Sequence, residues 1–325
     1  MGQVIAQTSS FVQAGGNGFN LTVTAAGIYT VSLRTEQGTI SNKVICTETA
    51  EPENSIQYAG PISGLDKNLL KSARNISTTQ YSLGYSPGDI ILYRCRSGIY
   101  TTVITDSPKT SKNYEIEFVD CKDPDGKNYS IVKTGDQTWM AENLAYLPFV
   151  SPSSGGGSNI SPFYYVYGYE GSSVSEAKAH TNYTTYGVLY NWEAARTACP
   201  SGWHLPTDEE WKMLEMNQGM SSSEADGAGW RNSGSVGSKL KESGTSHWPS
   251  PNTGANNSSG FNALPGGFRY GSGGIHDLGD AANFWSSSGD GSSNAWYRYL
   301  TNYMNGVGRS YDYRSSGFSV RCFKN

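Results

Sequence analysis

At 325 residues the chain is long enough for two or three domains, each burying its own core. Its charge is sparse and slightly acidic, formally -4 at pH 7, and no Lys/Arg-rich run supplies a nucleic-acid footprint. No apolar run reaches the length of a membrane span. Abundant Gly, Ser, Asn and Tyr suit a loop-rich β or α+β protein of the extracellular space or outer-membrane surface. The opening MGQVIAQTSS has neither a basic n-region nor an apolar h-region, as expected of a mature chain whose leader has been removed.

Residues 1–50 alternate in strand fashion. Phe19, Leu21 and Val23 share one face, and Tyr29, Val31 and Leu33 share another after the Ala26–Gly27 turn. The stretch GIYTVSLRTEQGTISNKVIC resembles the closing hairpin of an immunoglobulin-like module. A second small β-rich module is expected over 51–122. It holds a short helix at Asp66–Arg74 and strands at Asp89–Arg94, Tyr100–Thr105 and Tyr114–Asp120. Cys95 and Cys121 fall at the ends of two of those strands. A bridge between them would close a loop of about 25 residues and contribute roughly 3 kcal/mol. Five cysteines without CxxC or zinc spacing favour an oxidising compartment with two disulfides and Cys46 left over; five reduced cysteines are the alternative.

The third region, 123–325, opens at the Asp123–Gly126 turn. Strand Tyr129–Lys133 and the segment Gln137–Leu144 follow, and Ser151–Ser158 is a loop by composition. A helix is expected over Leu189–Ala198. Another starts at Thr207, an N-cap with Glu210 three residues on, and carries Trp211 and Leu214 on its apolar side. From Ser221 to Tyr270 the chain is mostly Gly, Ser and Asn, with isolated large residues suited to pinning loops onto a core.

The tail, Asn283–Asn325, interleaves frame residues with Ser, Asn, Asp, Arg and above all Tyr. Rigid amphipathic Tyr mixed with adaptable Ser, Gly and Asn is the chemistry of antibody paratopes. The expected ligand-binding set is Ser287, Asp290, Asn294, Tyr297, Tyr299, Asn302, Tyr303, Asn305, Arg309, Tyr311, Tyr313 and Arg314. In the strand around 295–300, alternation puts Trp296, Arg298 and Leu300 on one face and Ala295, Tyr297 and Tyr299 on the other. The expectation is that Trp296 and Leu300 turn inward and the tyrosines are displayed.

TWMAENLAY (138–146), GVLYNWEAARTACPSGWHLPTDEEWKMLE (187–215), SSGFNALPGGFR (258–269), NFWSSS (283–288) and GFSVRCFKN (317–325) together resemble the Fibrobacter succinogenes major paralogous domain. That resemblance covers about 121–325 and implies a C-type-lectin-like fold, related to formylglycine-generating enzymes, with its terminal strands paired. Within it the strand Tyr129–Lys133 would lie beside Ser319–Phe323, and Cys199 would meet Cys322. The tail is also similar to variable proteins of diversity-generating retroelements, in which a lectin-like scaffold displays a mutable ligand face.

Known chemistries find little purchase. Calcium-lectin signatures are missing, and Asp277, Asp280, Asp290 and Asp312 read as scattered, solvated loop acids. His180, His204, His247 and His276 share no ligand spacing, and no G-x-S-x-G elbow occurs. Trp139, Trp192, Trp203, Trp211, Trp230, Trp248 and Trp285 read as core. No catalytic residue, metal or cofactor is expected. The function expected is that of a secreted bacterial adhesin, of the pilus-tip kind, binding a protein or glycan on a cell surface. Its N-terminal modules would contact pilus subunits. The alternative is a cell-surface enzyme, or enzyme-associated module, acting on glycans.

Overall fold

The structure, a computed structural model, describes residues 86, 88–110 and 112–325 (of 112 and 113 the backbone alone), with the backbone of strands at 7–10, 17–22, 27–35, 38–46 and 55–61. The Asp66–Arg74 helix, the side chain of Cys46 and the strand faces assigned around Phe19 and Tyr29 lie outside the described residues. The chain divides into two compact units, Met1–Asp120 and Cys121–Asn325. The described residues are mixed α/β, mostly strands and sheets with few helices.

In the first unit the strands are β1 (Gln7–Ser10), β2 (Asn17–Thr22), β3 (Gly27–Thr35), β4 (Gly38–Cys46), β5 (Ser55–Pro61), β6 (Ile91–Ser97), β7 (Tyr100–Asp106) and β8 (Lys112–Glu115). One sheet runs β2-β5-β1-β8 and so draws strands from either side of residue 50. β1 lies parallel to β5 and antiparallel to β8. β3 and β4 form a hairpin in continuous register from Gly27↔Cys46 to Thr35↔Gly38. β6 and β7 form another, closed by a two-residue loop whose Gly98 takes φ 54°, a left-handed conformation that costs glycine nothing.

Tyr114, Ile116 and Phe118 are buried together, and Tyr93, Cys95, Tyr100 and Ile104 pack against them. The bridge expected between Cys95 and Cys121 is therefore not formed. Cys95 sits within β6 opposite Thr102 rather than at a strand end, and it is a free thiol packed on that cluster. Burial pushes the thiol up to about 12, so it stays protonated and inert at neutral pH.

The second unit contains β9 (Ile131–Thr134), β10 (Gln137–Met140), β11 (Tyr164–Tyr165), α1 (Val174–Ala179), α2 (Thr181–Tyr186), β12 (Leu189–Tyr190), α3 (Trp192–Ala195), β13 (Trp203–His204), α4 (Asp208–Asn217), α5 (Ser222–Ala225), β14 (Gly229–Arg231), α6 (Val236–Leu240), β15 (Gly266–Arg269), β16 (Ile275–Leu278), β17 (Ala281–Asp290), β18 (Asn294–Thr301), β19 (Val307–Tyr313) and β20 (Phe323–Lys324). The last strand takes a different partner from the one expected. β9 and β10 close a tight hairpin, and β20 pairs with β10 (Trp139↔Phe323) and β13 (Trp203↔Lys324). The Cys199–Cys322 disulfide is present beside it.

The helix expected over Leu189–Ala198 is shorter. Leu189–Tyr190 pairs as a strand with Tyr164–Tyr165, and helix begins only after Asn191, whose side chain caps the Ala194 N–H. α4 is as read from sequence. Thr207 and Glu210 form a capping box, and Trp211 and Leu214 are buried. Trp211 meets Trp139, Phe261 and Phe284 at ring-centroid distances of 4.9, 5.8 and 5.9 Å, making the aromatic centre of the core.

Candidate functional site

The tail builds the middle of a sheet ordered β14-β19-β18-β17-β15-β16. Adjacent strands hold their side chains in register, with Trp285↔Tyr297, Phe284↔Arg298, Tyr297↔Ser310, Arg298↔Arg309 and Trp296↔Tyr311. Successive residues point to opposite faces. The expected ligand set is therefore divided between two faces of one sheet.

One face packs on α4. Asp208, Lys212 and Glu215 recur at four- and three-residue spacing and line one side of that helix. Arg298 and Arg309 stand directly opposite each other on neighbouring strands, a repulsive pair if left alone. Asp208 lies between them, its Oδ1 2.6 Å from Arg298 Nη1 and its Oδ2 2.8 Å from Arg309 Nη2. Glu215, fully buried, accepts from Arg298 Nε at 2.6 Å and from Arg231 Nη1 and Nη2 at 2.6 and 2.7 Å. Burial alone would raise the Asp208 carboxyl, but hydrogen bonds from Arg309 and the charge of Arg298 outweigh it and hold it well below the usual carboxylate range.

Arg309 is thus removed from the ligand set. It is buried, bound to Asp208, and its guanidinium lies 3.9 Å from the Trp296 ring centroid. Trp296 itself is half-buried rather than core, and Arg298 takes the inward place beside Leu300. Beyond α4 on this face, Tyr311 and Tyr313 are exposed, and Tyr311 meets Trp296 edge-on at 5.5 Å. Asn294 lies opposite Tyr313.

The other face carries a ribbon of rings. Trp230 meets Tyr299 at 4.6 Å, Tyr299 meets Tyr297 at 5.6 Å, and Tyr297 meets buried Phe318 at 4.6 Å. The ribbon continues through Phe268, 6.1 Å from Phe318, to Tyr270 at 4.7 Å and His276 a further 4.7 Å on. The Tyr299 ring covers Gly308, where a Cβ would come within 2.1 Å of it, so any side chain there would displace the ring. Tyr297 and Tyr299 are half-buried; Tyr303, just past β18, is 61% exposed, and Tyr270 and His276 are exposed at the far end. Trp230, expected in the core, is half-buried within this ribbon.

Ser310 and Asp312 project on the same face, opposite Tyr297 and Ala295. Asp312 was expected to be a solvated loop acid, yet it is a strand residue whose carboxyl burial pushes up. Its position follows the two-residue period of β19.

The remaining expected residues are partly committed to the frame. Arg314 stacks on Trp192 at 4.1 Å and donates to the carbonyls of Asn294 and Gly291. Asn305 donates from its amide to Ser235 Oγ at 3.3 Å, and the Asn302 carbonyl accepts from Thr253 N–H. Ser287 falls in the irregular stretch of β17, where register with β18 shifts between Trp285 and Gly289, and Asp290 lies just past it, paired with Asn294. Among the described residues no group of His, Cys, Asp and Glu is arranged to hold a metal ion.

The family model of the Fibrobacter succinogenes major domain matches residues 132–324. The chain belongs to that family. No curated protein and no solved structure matches it. The sheet, α4 and every residue of the aromatic ribbon lie inside the Fibrobacter succinogenes major domain, so frame and candidate face are parts of one matched unit.

The ribbon was missed as a continuous feature because its members are far apart in the chain. Trp230, Phe268 and Tyr270 come from the Gly/Ser/Asn-rich stretch that reads as loop. The only signal for them is that large rings on a loop-rich segment need a seat.

Proposed function

We propose that this chain is a non-enzymatic binding protein of a bacterial cell surface, an adhesin whose C-terminal sheet presents the ligand face. The observation that carries this is the ribbon of rings Trp230–Tyr299–Tyr297–Phe318–Phe268–Tyr270, partly exposed apart from Phe318 and held on a frame of buried rings and ion pairs. Rigid aromatic side chains lose little entropy on binding and dominate interface hot spots. In this reading the frame is C-type-lectin-like, the tail between 287 and 316 is its replaceable part, open to retroelement diversification, and immunoglobulin-like modules in the first unit reach pilus subunits. In this reading ligand contact falls to Tyr297, Tyr299 and Tyr303, with Tyr270 added.

The test is an array of purified cell-surface proteins and glycans probed with the full chain and with Tyr303→Ser and Tyr270→Ser. Both variants change exposed side chains, so their melting temperatures should match the parent. Binding to whatever the parent recognises should fall by tenfold or more, on the order of one lost hot spot. Undiminished binding by both variants would remove the ribbon from the function.

A further inference from the structure

Asp312 differs in its surroundings from the carboxylates of the helices and loops around the sheet. Asp208 and Glu215 are neutralised by arginines, and the rim acids Glu209 and Asp226 by Lys212. Buried Asp123 uses both oxygens, Oδ1 accepting from Lys127 N–H and Oδ2 from the Tyr129 hydroxyl. Asp312 accepts on Oδ1 alone, from Tyr313 N–H at 2.6 Å and Ser316 Oγ at 3.2 Å. Among the described residues no cation pairs with it, and none donates to Oδ2. It is half-buried beside Tyr297, on the face of the sheet that carries the rings.

A half-buried carboxylate without a counter-charge is a cost the free protein bears. Aromatic faces are themselves negative and attract cations that come to lie on them. The two features converge at one place, where Asp312 lies diagonally across β18 and β19 from Tyr297. A neutral hydroxyl could hydrogen-bond Oδ2 but would leave the charge uncompensated. A cation satisfies both at once.

We propose that the Tyr297–Asp312 corner of the ligand face is a subsite for a cationic side chain, arginine or lysine, presented by a protein partner. This rests on the binding role of the ribbon and names the chemistry recognised there. Burial raises both the Asp312 carboxyl and the Tyr297 phenol, the latter further through the nearby charge of Asp312, consistent with an uncompensated negative site. Arginine suits the place doubly, since its planar guanidinium stacks on rings while donating to a carboxylate.

The experiment titrates the full chain with an N-acetylated, C-amidated pentapeptide Gly-Gly-Arg-Gly-Gly and with its citrulline counterpart, which keeps the shape and loses the charge. Ring resonances of Tyr297 and Tyr299 are followed by NMR, and lysine and acetyl-lysine peptides form a second pair. The expected result is saturable shifts with the charged peptides, weakened by at least about tenfold in the neutral ones and in Asp312→Asn. The citrulline comparison needs no mutation, so it stands even if Asp312→Asn misfolds. Equal response to charged and neutral peptides, or none to either, overturns the cationic subsite. Saturable shifts with glucosamine and none with the peptides overturn it in favour of an amino sugar. Each of these outcomes leaves the array result with Tyr303→Ser and Tyr270→Ser to decide the ligand face separately.

Discussion

Tyr297 and Tyr311 sit on neighbouring strands, one register step apart, and their side chains leave the sheet in opposite directions. Tyr297 is stacked on Phe318 and Tyr299, whereas Tyr311 and Tyr313 are 52% and 61% exposed beyond the end of α4. Substitution to Ser should separate them. Tyr311→Ser and Tyr313→Ser should shift stability by no more than about 0.5 kcal/mol, and Tyr297→Ser should cost about 1–3 kcal/mol. Denaturant melts of the three variants check this; equal losses at Tyr297 and Tyr311 would mean that the strand register differs. The composition of the tail reads as a display surface, yet Tyr297 and Tyr299 are half-buried while Tyr311 and Tyr313 are exposed. Composition is blind to which face each residue joins. Alternation did separate Tyr297 from Trp296, but not which side would be covered, since that depends on α4 and on Phe318, distant in sequence.

At the level of the element, α4 is the part whose chain logic was half visible. Its start follows from Thr207 and Glu210, and its apolar side from Trp211 and Leu214. The acids were hidden. Asp208 and Glu215 on a helix look like solvent-facing charge, and their partners Arg298 and Arg309 lie 83 to 101 residues away. Because this network is buried, breaking it is more costly than a surface pair would be. Glu215→Gln leaves Arg231 and Arg298 short of a counter-charge and should destabilise by about 3–5 kcal/mol. The network also sets an acid limit. Asp208 is held below its ordinary value of about 3.9, so its contribution is complete above that value and is lost as pH falls through the depressed folded value. Asp208→Asn should be less stable than the parent at pH 7, and its melting temperature should decline less between about pH 5 and pH 2. Parallel pH profiles for parent and variant would exclude Asp208 as the source of acid sensitivity.

On the scale of the whole molecule, the second unit is closed by its own end. β20 inserts between β10 and β13, Met140 N–H donates to the Cys322 carbonyl at 3.0 Å, and Leu144 N–H donates to that of Val320 at 3.0 Å. Arg321, fully buried, donates to Asn143 Oδ1 and to the carbonyls of Met140, Phe261 and Asn262, tying the same segment to two loops. The family resemblance implied that the ends of the unit pair, with Tyr129–Lys133 beside the last strand, whereas β20 pairs with β10 and β13. β9 and β10 are neighbours in one hairpin, and sequence alone does not say which of the two offers its free edge. The Cys199–Cys322 bridge locks this closure across a sequence separation of 123 residues. Cross-linking so long a loop restricts the unfolded chain strongly, and removing a native bridge of this kind typically costs about 2–5 kcal/mol. The double variant Cys199→Ser/Cys322→Ser should therefore melt well below the parent. Reductant should lower the parent to the same point and leave the variant unmoved, because Cys95 is already a free thiol and contributes no bridge. Peptide mapping without reductant should recover Cys199 and Cys322 in one cross-linked pair. Alkylation of either as a free thiol in the folded chain, or a parent melt indifferent to reductant, would show that the backbone ladder and Arg321 close the unit without the disulfide.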